Sequence, residues 1–176
     1  MTLLRAIEFA SKKHRDQRRK DAAQTPYINH CVRVASIAEE IGQITDIEML
    51  MAAVLHDTIE DTQTTEQELA SLFGERVLSM VLEMSDDKSL EKQKRKELQI
   101  EHAPYVSENV APLKLADKIA NCEDMLISPP RGWLPERVLN YFKWSEAVVD
   151  KLPRVNEGLY QHAKMVIEQG YKQYNS

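Results

Sequence analysis

The sequence predicts an all-α protein, a single-domain bundle of about eight to ten helices, on three observations. Apolar residues recur three and four apart along most of the chain, the spacing of one helix face. Glycine and proline are scarce, at 5 and 7 of 176 residues, whereas the helix-favouring Glu, Lys, Leu, Ala and Gln are plentiful. No stretch alternates apolar and polar residues as a half-buried strand does.

The elements follow in order. Leu3, Leu4, Ile7 and Ala10 predict a first helix with a basic end. Val32, Ala35, Ile37, Ala38 and Ile41 predict a second, stopped by Gly42. Thr45 with Glu48 reads as a capping box for a third, which carries Leu50, Ala53 and Val54 into His56. Thr64 with Gln67 caps a fourth, ended by Gly74, and Val77, Leu78, Val81 and Leu82 mark a fifth. A polar helix spans about residues 89–103 before Pro104, and Leu113, Leu115, Ala116, Ile119 and Ala120 mark a buried one. Pro135 suits the first turn of the next, and a last helix spans residues 155–169, ended by Gly170. Segments 20–30, 104–112 and 127–134 read as loops.

Length and composition narrow the class. A chain of 176 residues suits one domain with one sizeable core. Hydrophobic content of 43% with 29% charged residues is that of a soluble globular protein. No apolar run approaches the roughly 18–20 residues of a membrane span, and the N-terminus carries no cleavable signal pattern. Cys31 and Cys122 form no C-x-x-C pair, which predicts free thiols in a reducing cytoplasm. A formal net charge of -5 argues against general nucleic-acid binding. Two basic blocks interrupt that balance, one from Lys12 to Lys20 and one of Lys88, Lys92, Lys94, Arg95 and Lys96. Each is either a solvated face or a wall that attracts a small, highly charged anion.

The chemistry concentrates in Ala53-Val54-Leu55-His56-Asp57-Thr58-Ile59-Glu60-Asp61-Thr62. On a helix Glu60 stacks near His56 and Asp57, and Asp61 near Asp57. Three carboxylates beside an imidazole repel one another unless a cation neutralises them, and at the end of an apolar helix they also oppose its dipole. The bland reading is a solvated acidic helix end; the sharp one is a divalent metal with carboxylates next to it. His30 lies at the start of the second helix, where a cap or surface role is the plain alternative. Asp117 interrupts an apolar helical segment, and a buried carboxylate needs a cation. Lys114 or Lys118 supplies one by helical spacing, or a metal does. Two imidazoles with two carboxylates and no thiolate suit Mn, Fe, Co or catalytic Zn.

His30, then His56-Asp57, then Asp117, reproduces the H…HD…D order of the HD-domain metal phosphohydrolases. Arg18-Arg19-Lys20-Asp21, Thr25-Pro26-Tyr27-Ile28-Asn29-His30, Phe73-Gly74, Asp86-Asp87-Lys88, Lys114-Leu115-Ala116-Asp117-Lys118 and the Trp133 and 141–144 region resemble the hydrolase domain of RelA/SpoT proteins. The likeness is closest to the small stand-alone alarmone hydrolases, the Mesh-type SpoT homologues. It covers nearly the whole chain. It implies one HD-type domain over residues 1–176, with no synthetase or regulatory domain. It implies one Mn²⁺ ion held by His30, His56, Asp57 and Asp117, with Glu60 and Asp61 acting on the water nucleophile. Glu60 is the expected base because it shares a face with His56. The implied substrate is guanosine tetra- or pentaphosphate, which loses its 3′-pyrophosphate, a reaction that ends the stringent response. Arg19, Lys20, Tyr27, Lys92, Asn121 and Tyr141 match residues expected to line the nucleotide pocket.

Two positions depart from the family pattern after the K-L-A-D run. Ala120 replaces a bulky side chain, and Glu123 replaces a usual cation. Competing readings are an HD-type phosphatase on another nucleotide, such as the 2′-phosphate of NADPH, and a degenerate nucleotide-binding module. The small-molecule partner excludes neither a monomer nor an oligomer.

Overall fold

A computed structural model describes residues 2–174. They form ten α-helices: α1 (Leu3–Lys13), α2 (Ile28–Glu40), α3 (Ile47–Leu55), α4 (Thr58–Asp61), α5 (Glu66–Phe73), α6 (Glu75–Met84), α7 (Lys92–His102), α8 (Ala111–Ile127), α9 (Pro135–Val149) and α10 (Glu157–Tyr174). A 3₁₀ turn, Ala103–Tyr105, follows α7. The described residues contain no strand; an isolated antiparallel bridge between Arg18 and Pro26 closes the loop after α1.

The local chemistry explains most boundaries. Asp46, not Thr45, caps α3: its carboxylate accepts from the backbone N–H groups of Glu48 and Met49. Thr65, not Thr64, caps α5 by accepting from Glu68 N–H. Gly74 adopts a φ of 90° between α5 and α6, a conformation that suits glycine. Pro135 begins α9, as its missing N–H allows. The polar helix α7 starts at Lys92, later than the sequence predicts, and has no buried residue.

Two predicted glycine stops have another cause. Gly170 lies inside α10, and a Cβ there would fall 2.5 Å from the Phe142 ring. At Gly42 a Cβ would meet the Ala38 carbonyl at 2.5 Å and the Leu159 side chain at 2.8 Å. The positive φ after α2 belongs to Gln43 instead, at 54°. Both glycines are therefore sites of close helix approach. The faces also shift slightly: Val34, not Val32, is buried on α2, and Leu4 on α1 is exposed.

Helix α2 packs against both α3 and α8, and α8 is further covered by α9 and α10. Helix α3 is apolar all round, buried from Met49 to Leu55, as expected of a helix enclosed by α1, α2 and α6. One continuous cluster of buried side chains joins all these elements except α4 and α7. The N-terminal end of α2, the C-terminal end of α3 and the middle of α8 meet at one side of that core.

Candidate metal centre and its cavities

The run from His56 to Asp61 is not one helix. Helix α3 ends at Leu55, His56 is its C-cap, and Asp57 is the N-cap of the separate turn α4. Asp61 N–H closes that turn on the Asp57 carbonyl at 2.8 Å. Glu60 and Asp61 therefore stand in the first turn of a new helix, where negative charge is favoured. The break thus carries Glu60 and Asp61 off the end of α3, while Asp57 stays directly after its C-cap.

The break swings Asp57 toward His30 from α2 and Asp117 from α8. His56 Nε2 lies 2.9 Å from Asp57 Oδ2 and 3.8 Å from Asp117 Oδ1. His30 Nε2 lies 3.8 Å and 3.2 Å from the same two oxygens. His30, His56 and Asp117 offer donor atoms within 4.8 Å of one another, and Asp57 Oδ2 lies beside both imidazoles, so small side-chain shifts would bring all four donors onto one cation. The buried His56 Nε2 has no hydrogen-bond partner despite its nearness to Asp57. His56 Nδ1 lies 2.7 Å from the Ala53 carbonyl, which can only accept, so Nδ1 carries the proton and the Nε2 lone pair faces the cluster. That combination, a lone pair without a donor amid two carboxylates, fits a divalent metal.

The carboxylates are braced as well. Tyr27 Oη donates to Asp57 Oδ2 at 2.7 Å, Asn121 Nδ2 donates to Asp117 Oδ1 at 2.7 Å, and Lys118 Nζ lies 3.1 Å from Asp117 Oδ2. Burial opposes ionisation of Asp57 and Asp117, but the charges beside them prevail: His56 and His30 for Asp57, Lys118 and His30 for Asp117. Both stay well below the ordinary carboxylate range. Burial likewise opposes protonation of His56, yet Asp57 and then Asp117 lift it to about 9. The cluster demands positive charge, which a proton supplies when a metal does not. Cys31 Sγ lies close to His56 and Asp57, but burial and then Asp57 push its thiol well above its usual value and keep it neutral.

Glu60 and Asp61 have different settings. Glu60 Oε2 accepts from Asp86 N–H at 2.8 Å, and Oε1 lies 3.2 Å from Lys88 and 3.7 Å from Arg95. Burial raises its pKa. Asp61 Oδ2 accepts from Gln17 Nε2 at 2.7 Å, and Oδ1 pairs with Lys88. Gln17 is itself held by His14 Nδ1 at 2.6 Å.

Two cavities meet at this point. An inner chamber of about 180 Å³ is lined by His30, His56, Asp57, Asp117, Glu60 and Lys114, among others. An outer cavity of about 450 Å³ holds Arg19, Lys20, Lys92, Lys88, Arg95 and Trp133 on its walls. Tyr27, Asp57, Glu60, Asn121 and Tyr141 face both, whereas Asp61 faces only the outer one. All six residues expected to line a nucleotide pocket thus border the outer cavity. Three of them carry further duties: Tyr27 and Asn121 brace carboxylates, and Arg19 Nη2 donates to Asn121 at 2.9 Å and to Asp124 at 2.5 Å. Lys92 lies over Trp133, which also carries Arg137 on its ring at 4.2 Å. Ala120 and Glu123 border neither cavity; Glu123 pairs with Arg33 at 2.8 Å on the far side of α8.

The site residues named from the sequence did not include Gln17, Lys88, Arg95 or Trp133, although Lys88 and Arg95 lay in the second basic block and Lys88 and Trp133 in the motifs that carry the resemblance. Arg95 had a signal, because it follows Lys92 by three and shares its face. Gln17 had none. The basic blocks also divide: Lys12 and Lys13 pair with Glu8 and Glu68 away from the cavity, and Lys94 faces solvent.

The chain is similar to known proteins along nearly its whole length. The HD-domain family matches residues 6–132. A Danio rerio protein, guanosine-3′,5′-bis(diphosphate) 3′-pyrophosphohydrolase MESH1, is 46% identical over 171 residues, which are 97% of this chain and 95% of that protein. The Homo sapiens protein of the same name is 47% identical, over 95% of this chain and 93% of its own. A solved structure of a metazoan orthologue of SpoT that hydrolyses ppGpp superposes with a TM-score of 0.92 at 44% identity, covering 95% and 94% of the two chains.

Proposed function

Since the chain belongs to the HD-domain family, and within it to the MESH1 guanosine-3′,5′-bis(diphosphate) 3′-pyrophosphohydrolases, we propose that it hydrolyses guanosine tetra- and pentaphosphate to GDP or GTP and pyrophosphate. The single observation that carries the reading is the convergence of His30, His56, Asp57 and Asp117 in an inner chamber that shares a wall with a cation-lined outer cavity. These four residues would hold one Mn²⁺ ion. When bound, the ion would supply Lewis-acid chemistry there, lowering the pKa of water and offsetting phosphate charge.

The chain's own groups do the rest. Glu60 borders both cavities and its pKa is raised by burial, which suits the proton acceptor for the attacking water. Asp61, fixed by Gln17 and Lys88, orients that water. The water oxygen joins the phosphorus on the 3′-oxygen, the P–O3′ bond breaks, and the departing 3′-oxygen takes up a proton. Lys88 and Arg95 beside Glu60 offset the charge that builds at the phosphoryl group. Arg19, Lys20 and Lys92 draw the polyphosphate into the outer cavity, where Tyr27, Tyr141 and Asn121 border the nucleoside. The two buried free thiols suit a reducing cytoplasm.

The test is a Mn²⁺-loaded substrate panel of guanosine tetraphosphate, guanosine pentaphosphate and NADPH, scored for pyrophosphate against orthophosphate release. Pyrophosphate from the two guanosine substrates is the expected result. Orthophosphate release from NADPH alone would instead assign the 2′-phosphatase reaction.

A further inference from the structure

Behind the metal cluster the inner chamber ends on two cations that the reaction scheme has not used. Lys114 and Lys118 are one turn apart on α8, and both border the chamber together with Gln99, Asp86 and the candidate metal ligands. Lys118 is buried, at 7% exposure. Its charge is engaged, with Asp117 at 3.1 Å and the Trp144 ring at 4.7 Å. Lys114 is different. Among the described residues its ammonium has one long hydrogen bond, 3.4 Å to the Met84 carbonyl, and no ion pair.

The acids around it are already committed. Glu83 accepts from Ser107 at both its backbone N–H and its hydroxyl, Asp86 Oδ2 accepts from Gln99 at 2.6 Å, and Asp117 serves Lys118 and Asn121. Burial, and then Lys118, hold Lys114 below its usual pKa, the mark of a cation short of a counter-ion. A half-buried cation with spare donors, set in a polar chamber beside a metal cluster, is an anion site.

We propose that Lys114, seconded by Lys118, binds the distal phosphate of a pyrophosphoryl group, so that the inner chamber selects pyrophosphoryl over monophosphoryl ligands. The assignment rests on the pyrophosphohydrolase reading, because it places the phosphate under attack at the cluster and the next phosphate deeper. Only the second of these requires Lys114. A monophosphate reaches the cluster and leaves the lysine unmet.

The experiment is calorimetric titration of the Mn²⁺-loaded protein with inorganic pyrophosphate and, separately, orthophosphate. In Lys114→Met, which keeps the apolar stem, pyrophosphate affinity should fall about tenfold, the scale of one charge-assisted hydrogen bond. Orthophosphate affinity should fall less than threefold, and Lys114→Arg should recover most of the pyrophosphate loss. A pyrophosphate loss no larger than the orthophosphate loss overturns the subsite. Lys114→Gln carries the same comparison if the methionine variant does not fold. If Lys114 governs pyrophosphate binding while the panel releases none from guanosine tetraphosphate, the functional reading fails and the subsite stands. The reverse pattern removes the subsite alone.

Discussion

The inner chamber and the outer cavity share a wall but are built by opposite means. In the inner chamber the cluster is assembled before any ligand arrives. His56 is locked by a backbone carbonyl, Asp57 by Tyr27 and Asp117 by Asn121, on helices fixed by the core. In the outer cavity two cations are held by acids of the same cavity, Arg19 by Asp124 and Lys88 by Asp61 and Glu60, while Lys92 faces other cations, Arg137, Lys20 and Arg95. The inner end is preorganised for a small cation, whereas Arg19 and Lys88 at the outer end must exchange internal ion pairs for phosphate. Lost geometry should therefore be severe at the inner end, and lost charge should be graded at the outer one.

The largest effect is expected at the cluster. Asp57→Ala removes a donor atom, the Tyr27 partner and half of the negative charge facing His56. Bound Mn²⁺, measured by elemental analysis after gel filtration, should fall to background. The stabilisation that Mn²⁺ gives the wild type in thermal melts should vanish, and turnover should drop at least about 1000-fold. Retained metal with retained activity would break the contrast between the two cavities.

Glu60 stands where they meet, so its removal separates metal holding from chemistry. Glu60→Gln should keep the Mn²⁺ content and lose about 100- to 10,000-fold in kcat, the range of general-base assistance. Because burial raises the Glu60 pKa above its ordinary 4.5, and the base must be ionised, wild-type kcat/KM should fall with decreasing pH along a limb centred above that value. The residual rate of the glutamine variant should lack that limb. Equal loss of metal and turnover would assign Glu60 to the cluster instead.

The contrast also explains what could be read from the chain. The motif residues were legible because each lies on or beside a helix whose apolar face sets its direction: His30 on α2, Asp117 on α8, His56 at the end of α3. The break between α3 and α4 was not legible, since Leu55 to Thr62 contains no glycine or proline to signal it. Gly42 and Gly170 read as stops, yet Leu159 and Phe142 dictate them from distant parts of the chain. The outer cavity was harder still. Which lysine of a basic block faces inward depends on helix phase and on acids such as Glu68 that lie far off in sequence. Gln17 acts through Asp61 across 44 residues, a link that no local pattern carries.

The smallest expected effect tests the outer cavity by removing an acid. Arg19 is held by Asp124 at 2.5 Å and is largely buried, while Asp124 is half exposed. A polyphosphate entering this cavity must take the guanidinium from that carboxylate. Asp124→Asn keeps the side-chain shape, frees Arg19 and removes one negative charge from the wall. Partly exposed ion pairs contribute on the order of 0.2–1 kcal/mol, so KM for guanosine tetraphosphate should fall by about two- to fivefold, with kcat moving less. Raising the salt concentration should shrink the difference between variant and wild type, because both the internal pair and the phosphate attraction are screened. A rise in KM would mean that Asp124 positions Arg19 for the phosphate rather than competing for it, and the outer cavity would then be as preorganised as the inner one.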